Sequence, residues 1–224
     1  MPWDEESVAA RVAEEIEDGW VVNLGIGLPT LVVSHLQDRR VVVHSENGIL
    51  GMGPPPPVGQ EDPDLVDAGK QPATVLPGAA FIDSLSSFGL IRGGHLHLAV
   101  IGAYQVSQGG DLANWRLPGR RVGGIGGAAD LAAGARQVWV AMPHTTKQGD
   151  PKLLRSCTYP LTARGVVTRI FTDLGVFEPV TSGFAVRALA PGVTVEQVRA
   201  ATDAPVLDHP TTRTNAGRRV DHNA

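Results

Sequence analysis

"WVVNLGIGLPTLVVSHLQDRRVVVHS", Trp20 to Ser45, decides the fold. An apolar run, "WVVNLGI" (20–26), leads through Gly25, Gly27 and Pro29 into a helix-like piece, "TLVVSHLQD" (30–38). A second apolar run, "RVVVHS" (40–45), follows. Runs that stay apolar instead of alternating predict strands covered on both faces. The pattern repeats outward, with strands expected at "ATVL" (73–76), "HLHLAVIGA" (95–103), "QVWVAM" (137–142) and "GVVTRIFTD" (165–173). Between them the sequence predicts helices at "AAFIDSLSSFG" (79–89) and "AADLAAGA" (128–135), and a late one at "TVEQVRAATDA" (194–204) with Thr194 as its N-cap. Upstream, Val8, Val12 and Ile16 recur every four residues in an acid-led helix, Asp4 to Asp18, that stops at Gly19. The expected class is α/β: a single domain, residues 1–210, with a mixed, mostly parallel sheet flanked by helices. The polar "TTRTNAGRRVDHNA" (211–224) is expected to be a flexible tail.

Composition narrows the function. The chain has 224 residues, 42% of them hydrophobic and 19% charged, an ordinary globular profile. A net charge of -4 argues against nucleic acid as a main partner, because phosphate neutralisation needs a basic surface. No apolar run is long enough to cross a membrane, and the acidic, helical N-terminus is unlike a signal peptide. Cys157 is the single cysteine and cannot form an internal disulfide, which points to a reducing, cytoplasmic setting.

Several motifs are missing. No serine sits in a G-x-S-x-G elbow, and there is no P-loop, H-E-x-x-H or paired cysteine cluster. His95 and His97 flank Leu96 on one face of an expected strand; two histidines alone more often line a polar surface than hold a metal, and no metal site is expected. "GIGGAA" (124–129) matches the dinucleotide fingerprint formally, but the preceding "RLPGRRV" is not the buried strand that fingerprint requires. Its glycines still offer backbone N–H groups to an oxyanion or phosphate.

The remaining candidates lie at strand ends, where sites assemble in open α/β sheets. "NLGIGLPT" (23–30) offers a tight strand-to-helix turn and the Asn23 amide. "HSENGILGMGPPPP" (44–57) sets one carboxylate, Glu46, at the end of an apolar strand, and a charge there needs a partner. Without a metal, Glu46 is either a general base or a nucleophile whose tetrahedral oxyanion nearby amides would stabilise. Gly48, Gly51 and Gly53 are expected to leave a bare wall for a narrow acyl carrier.

Taken in order, "NLGIGLP", "SENGILGMGP", "AGKQPATVLPGAAFIDS", "IRGGHLHLAVIGAYQVSQGGDLANWRLPG", "GGIGGAADLAAGARQVWVAM" and "KLLRSCTYPLT" followed by "GVVTRIFTDLGVF" resemble the B (β) subunit of the class I 3-oxoacid CoA-transferases. The resemblance runs from about Asn23 to Phe177. It implies transfer of CoA from an acyl-CoA, typically succinyl-CoA, to a 3-oxoacid such as 3-oxoadipate or acetoacetate. It implies Glu46 as nucleophile, Asn23 and the Gly127–Ala128 backbone as oxyanion donors, and ping-pong chemistry through a glutamyl-CoA thioester. Gly25, Gly27, Asn47, Gly48 and Gly51 are assigned to the substrate and CoA, and Lys70 to CoA phosphates, with a solvated surface lysine as its competing reading. CoA is then substrate and covalent intermediate, with no permanently bound cofactor. The resemblance also implies a separate A (α) subunit and a hetero-oligomer of A and B chains. Three features depart from the family pattern: the Pro54–Pro57 run, His97, and Tyr104 in an expected core strand. A CoA-thioester hydrolase on the same fold and a non-catalytic scaffold are the competing readings, and 3-oxoadipate is the favoured acceptor.

Overall fold

The Asp4 carboxylate accepts a hydrogen bond from the Ser7 amide at 2.8 Å and so starts the first helix, α1 (Glu5–Glu15). Val8, Val12 and Ile16 lie on its buried side, as their spacing predicts. The computed structural model describes residues 1–119 and 124–208; the tail expected at 211–224 lies outside them. After α1 come β1 (Val21–Leu24), the short helix α2 (Leu28–Leu31) running on as a 3-10 turn (Val32–His35), and β2 (Val42–Ser45). Next are β3 (Ile49–Gly53), β4 (Thr74–Phe81), α3 (Ser84–Arg92), β5 (Leu98–Ile101), β6 (Gln105–Ser107) and β7 (Leu112–Ala113). The second half holds α4 (Ala128–Gly134), β8 (Gln137–Ala141), β9 (Leu153–Leu154), β10 (Val167–Thr172), β11 (Gly175–Val180) and β12 (Gly183–Leu189). It ends with α5 (Val195–Ala200) and β13 (Val206–Leu207).

Ten strands form one sheet in the order β13-β12-β11-β10-β8-β5-β1-β2-β3-β4, and β7-β6-β9 form a small second sheet. From β10 across to β2 every neighbour is parallel. Antiparallel hairpins extend both sides, β3 and β4 on one and β11 and β12 on the other. Both faces of the parallel centre are covered, as the unbroken apolar runs predict. Leu98 and Val100 pack with α1 on one side, while Ala99 and Ile101 join Val138, Val140 and Ile170 on the other. The chain leaves β1 towards β2 on one side and reaches β5 on the other. The strand order therefore reverses between β1 and β5, where a crevice opens beyond the carboxyl ends of the strands.

Three expectations change. "AAF" (79–81) is not the start of a helix: it pairs with β3 as the end of edge strand β4, and α3 starts only after Asp83 caps it. The alanines favour a helix locally, and cross-strand pairing overrides that weak preference. The helix expected at 30–38 is one α-turn and one 3-10 turn, ending at His35. Gly48, Gly51 and Gly53 belong to or adjoin strand β3 and do not form an open wall. A side chain at Gly48 would meet the Ile82 carbonyl oxygen at 2.1 Å, and its φ of +117° suits glycine alone, so this residue lets β4 close against the turn.

Candidate active site

Glu46 follows β2 directly and occupies the turn into β3, half-buried. Its side chain and Asn23 meet because β1 and β2 are parallel neighbours, with Asn23 in register with His44. The Asn23 amide nitrogen donates to Glu46 Oε2 at 3.0 Å and to the His44 carbonyl at 3.1 Å. Asn23 and His44 are both 0% exposed, so these bonds form away from water. The loop before α4 comes back to the same place. A Cβ built on Gly127 would lie 3.7 Å from Glu46 Cγ and 3.5 Å from the Phe88 ring. Arg92 on α3 bonds Asp130 on α4 at 2.8 Å, fastening the two helices that carry these contacts.

These groups border a cleft of about 600 Å³ at the crevice beside β1 and β5. Gly25, Glu46, Gly127, Ala128, Tyr104 and Lys152 are on its wall. Asn23 stands behind Glu46, out of contact with solvent. Of the other residues assigned to substrate, Gly27 starts α2 at φ +92°, and Asn47 is exposed, its amide donating to the Val66 carbonyl at 2.7 Å. Gly48 and Gly51 face β4. Lys70 is exposed at φ +63° on a turn that covers the Glu46 hairpin, where the Ala68 amide donates to Ser45 Oγ at 3.1 Å. None of these five borders the cleft.

Sequence reasoning misses three residues here. His44 is one; burial pushes it down to about 4, so it is uncharged at neutral pH. A histidine inside the apolar run "VVVHS" needs buried partners, and that was the available signal. Ser87 is the second, fully buried on α3, with its hydroxyl 2.9 Å from both His44 Nε2 and the Glu46 carbonyl. Lys152 is the third. It is 8% exposed, and its ammonium makes no ion pair or hydrogen bond among the described residues. Burial pushes it down to about 8, against the opposing pull of Asp173. Nothing in "DPKLLRS" marks it.

Tyr104 lies after β5, half-buried on the cleft wall and not in a core strand. His97 accepts from the Val21 amide through Nδ1 at 3.0 Å and stacks on Trp20, a structural use of the ring, while His95 is exposed. Burial pushes the Cys157 thiol up to about 11, which makes it a poor nucleophile. Among the described residues no helix is long and apolar enough to cross a membrane.

Several known proteins are similar to this chain. The B (β) subunit of a 3-oxoadipate CoA-transferase from Pseudomonas putida is 50% identical over 201 residues, covering 89% of this chain and 94% of that one. The B (β) subunit of a succinyl-CoA:3-ketoacid coenzyme A transferase from Helicobacter pylori is 47% identical, covering 89% and 96%. Among solved structures, an Escherichia coli O157:H7 acyl-CoA transferase (YdiF) in a thioester complex with CoA superposes with a TM-score of 0.69 at 19% identity. That likeness covers 92% of this chain and 42% of the other, and it concerns the fold alone. The decarboxylase AibA/AibB shares the fold too, with a TM-score of 0.65, 19% identity and coverage of 91% and 84%, so the architecture does not by itself fix the reaction. The Coenzyme A transferase pattern matches residues 5–201, and with relatives this similar over nearly their whole length, the chain belongs to that family.

Proposed function

We propose that this chain is the B half of a 3-oxoacid CoA-transferase that moves CoA from succinyl-CoA to a 3-oxoacid, with Glu46 as covalent carrier. The observation that carries the reading is a half-buried carboxylate on the cleft wall, held by the Asn23 amide at 3.0 Å and closely approached by Gly127. A Glu46 oxygen attacks the thioester carbonyl, the C–S bond breaks, and CoA thiolate leaves an acyl-glutamyl anhydride. The thiolate then attacks the Glu46 carbonyl, the anhydride C–O bond breaks, and succinate departs from a glutamyl-CoA thioester. The acceptor carboxylate reverses both steps. No proton is gained or lost, so the site needs no general acid or base, consistent with an uncharged His44. It needs donors at each oxyanion, for which the Asn23 amide and the Gly127–Ala128 backbone are the candidates.

The two relatives' names point to 3-oxoadipate and to 3-ketoacids. Lys152 supports an acyl group bearing a second carboxylate, because a largely buried lysine on the cleft wall, with no anionic partner among the described residues, gains from an anion. Succinyl-CoA carries such a group as donor and 3-oxoadipate as acceptor, whereas acetoacetate does not. We therefore favour 3-oxoadipate. The partner is an A-type chain. Ile26 and Ile125, exposed beside the cleft, and Phe81 and Leu85, exposed where β4 meets α3, are apolar surface for it to cover.

The test is to co-express the chain with its A-type partner and supply succinyl-CoA without acceptor. Mass spectrometry should find CoA attached to Glu46, and Glu46→Gln should abolish the adduct. Steady release of free CoA with no adduct would overturn the transferase reading in favour of hydrolysis. Turnover with 3-oxoadipate and with acetoacetate then identifies the acceptor.

A further inference from the structure

Behind Glu46 the hydrogen bonds close into a ring. The Ser87 hydroxyl has one proton, and the Glu46 backbone carbonyl 2.9 Å away can only accept, so the proton goes there. The contact between Ser87 Oγ and His44 Nε2, also 2.9 Å, then requires the hydrogen to sit on Nε2. In an uncharged imidazole that leaves Nδ1 bare, and Nδ1 faces the Asn23 amide nitrogen at 3.2 Å. The amide nitrogen reaches Glu46 Oε2, and the ring has returned to the residue where it began. It holds Glu46 by its backbone at one end and its carboxylate at the other.

The orientation of Asn23 has one solution. Turned over, its amide oxygen would face Oε2, the His44 carbonyl and Nδ1, three acceptors at once. In the observed orientation that oxygen is buried and has no donor among the described residues. Among the described residues nothing on its carbonyl side holds the amide, so apart from Glu46 its two N–H hydrogens are held only by His44, through the backbone carbonyl at 3.1 Å and Nδ1 at 3.2 Å. That matters once the reaction starts. When Glu46 becomes an anhydride or a thioester it is no longer a carboxylate and grips the amide less. At that stage the amide has to stay in place to meet an oxyanion growing on the Glu46 carbonyl.

The geometry points to His44 as a positioning residue, which, as the Nε2–H tautomer fixed by Ser87, keeps the Asn23 amide aimed at Glu46 through the covalent stages of the reaction. This rests on Glu46 being the nucleophile. Burial of His44 supports it, since an imidazolium would turn an N–H against the N–H of Asn23, and burial keeps the ring uncharged at neutral pH.

Two substitutions in the complex with the A-type partner separate positioning from packing. His44→Phe fills the space and removes both ring contacts, leaving the backbone carbonyl of residue 44 as an acceptor for Asn23. His44→Asn leaves a void but sets an amide oxygen close to where Nδ1 stood. If His44 positions Asn23, His44→Phe slows formation of the Glu46–CoA adduct about 10²-fold with acyl-CoA affinity little changed, while His44→Asn loses about tenfold or less. If His44 only fills space, His44→Phe is the better enzyme, and that order overturns the proposal. Should either variant fail to fold, nitrogen NMR of the imidazole in the unsubstituted complex decides. The Nε2–H form at neutral pH supports the ring, and the Nδ1–H form or a charged ring overturns it. Absence of any adduct in the unsubstituted complex would refute the role of Glu46 instead, a result distinct from either ranking of the variants.

Discussion

His44 and His144 make a controlled pair. Both are 0% exposed, both are pushed down to about 4 by burial, and both use both ring nitrogens. His144 bonds Thr172 at 3.0 Å and Thr202 at 2.9 Å, joining β10 to the end of α5, and its amide donates to Asp173 at 2.6 Å. Its partners are structural hydroxyls, one of which, on Thr202, donates in turn to the Val198 carbonyl at 2.7 Å. The partners of His44 are Asn23 and Ser87, and each of those touches Glu46. Equal burial and equal charge state thus say little about role. What the bonded neighbour touches next is the informative quantity.

The comparison can be tested at several strengths. Glu46→Gln should remove essentially all transferase activity in the complex; retention of even a hundredth would mean that the carboxylate is not the carrier. Next in size is the contrast between the histidines. His44→Phe should slow adduct formation about 10²-fold. His144→Phe should leave that rate near its original value and cost the fold about 1 to 3 kcal/mol, read by denaturant unfolding. A similar rate loss in both would erase the distinction.

Protonation should act on the two alike. Each folded-state value lies below the ordinary 6.5, so below that pH the unfolded chain takes up protons that the folded chain refuses. Stability is therefore full above about pH 6.5 and falls as pH drops towards 4, by about 2 to 3 kcal/mol per histidine. Replacing either histidine by phenylalanine should flatten the profile in that window, and an unchanged slope would contradict the burial argument. The smallest effect belongs to Lys152→Met. It should raise KM about tenfold for succinyl-CoA and leave an uncharged acyl-CoA unaffected, a size set by the loss of one charge-assisted contact. Because burial disfavours the charged form of Lys152, the same variant should also have a raised melting temperature. Equal KM changes for both substrates would assign Lys152 to CoA itself.

Much of this was legible in the chain. The parallel centre follows from apolar runs bounded by glycines, and α1 and α5 start at the side chains that cap them, Asp4 and Thr194. Asn23 and Glu46 stand at strand ends, where a site is expected. The antiparallel edges were not legible. β3 holds two glycines in five residues and reads as a turn, and the β11–β12 hairpin lacks an apolar pattern distinct from its surroundings. Their pairing is decided by partners distant in sequence. The same limit hides Ser87 and Lys152, which reach the cleft region through tertiary packing that no local spacing encodes. His44 differs, since its polarity within a buried run already required partners, although not which ones.

Gly127 approaches Glu46 only because α3 and α4 fold back over β2, and that has a consequence for synthesis. A nascent chain on the ribosome carries Asn23 and Glu46 well before α4 emerges. Until then the glutamate has no facing loop and no closed cleft. A chain that stops before α4 would therefore present Glu46 without the facing Gly127 loop, and such a truncated product should form no Glu46–CoA adduct.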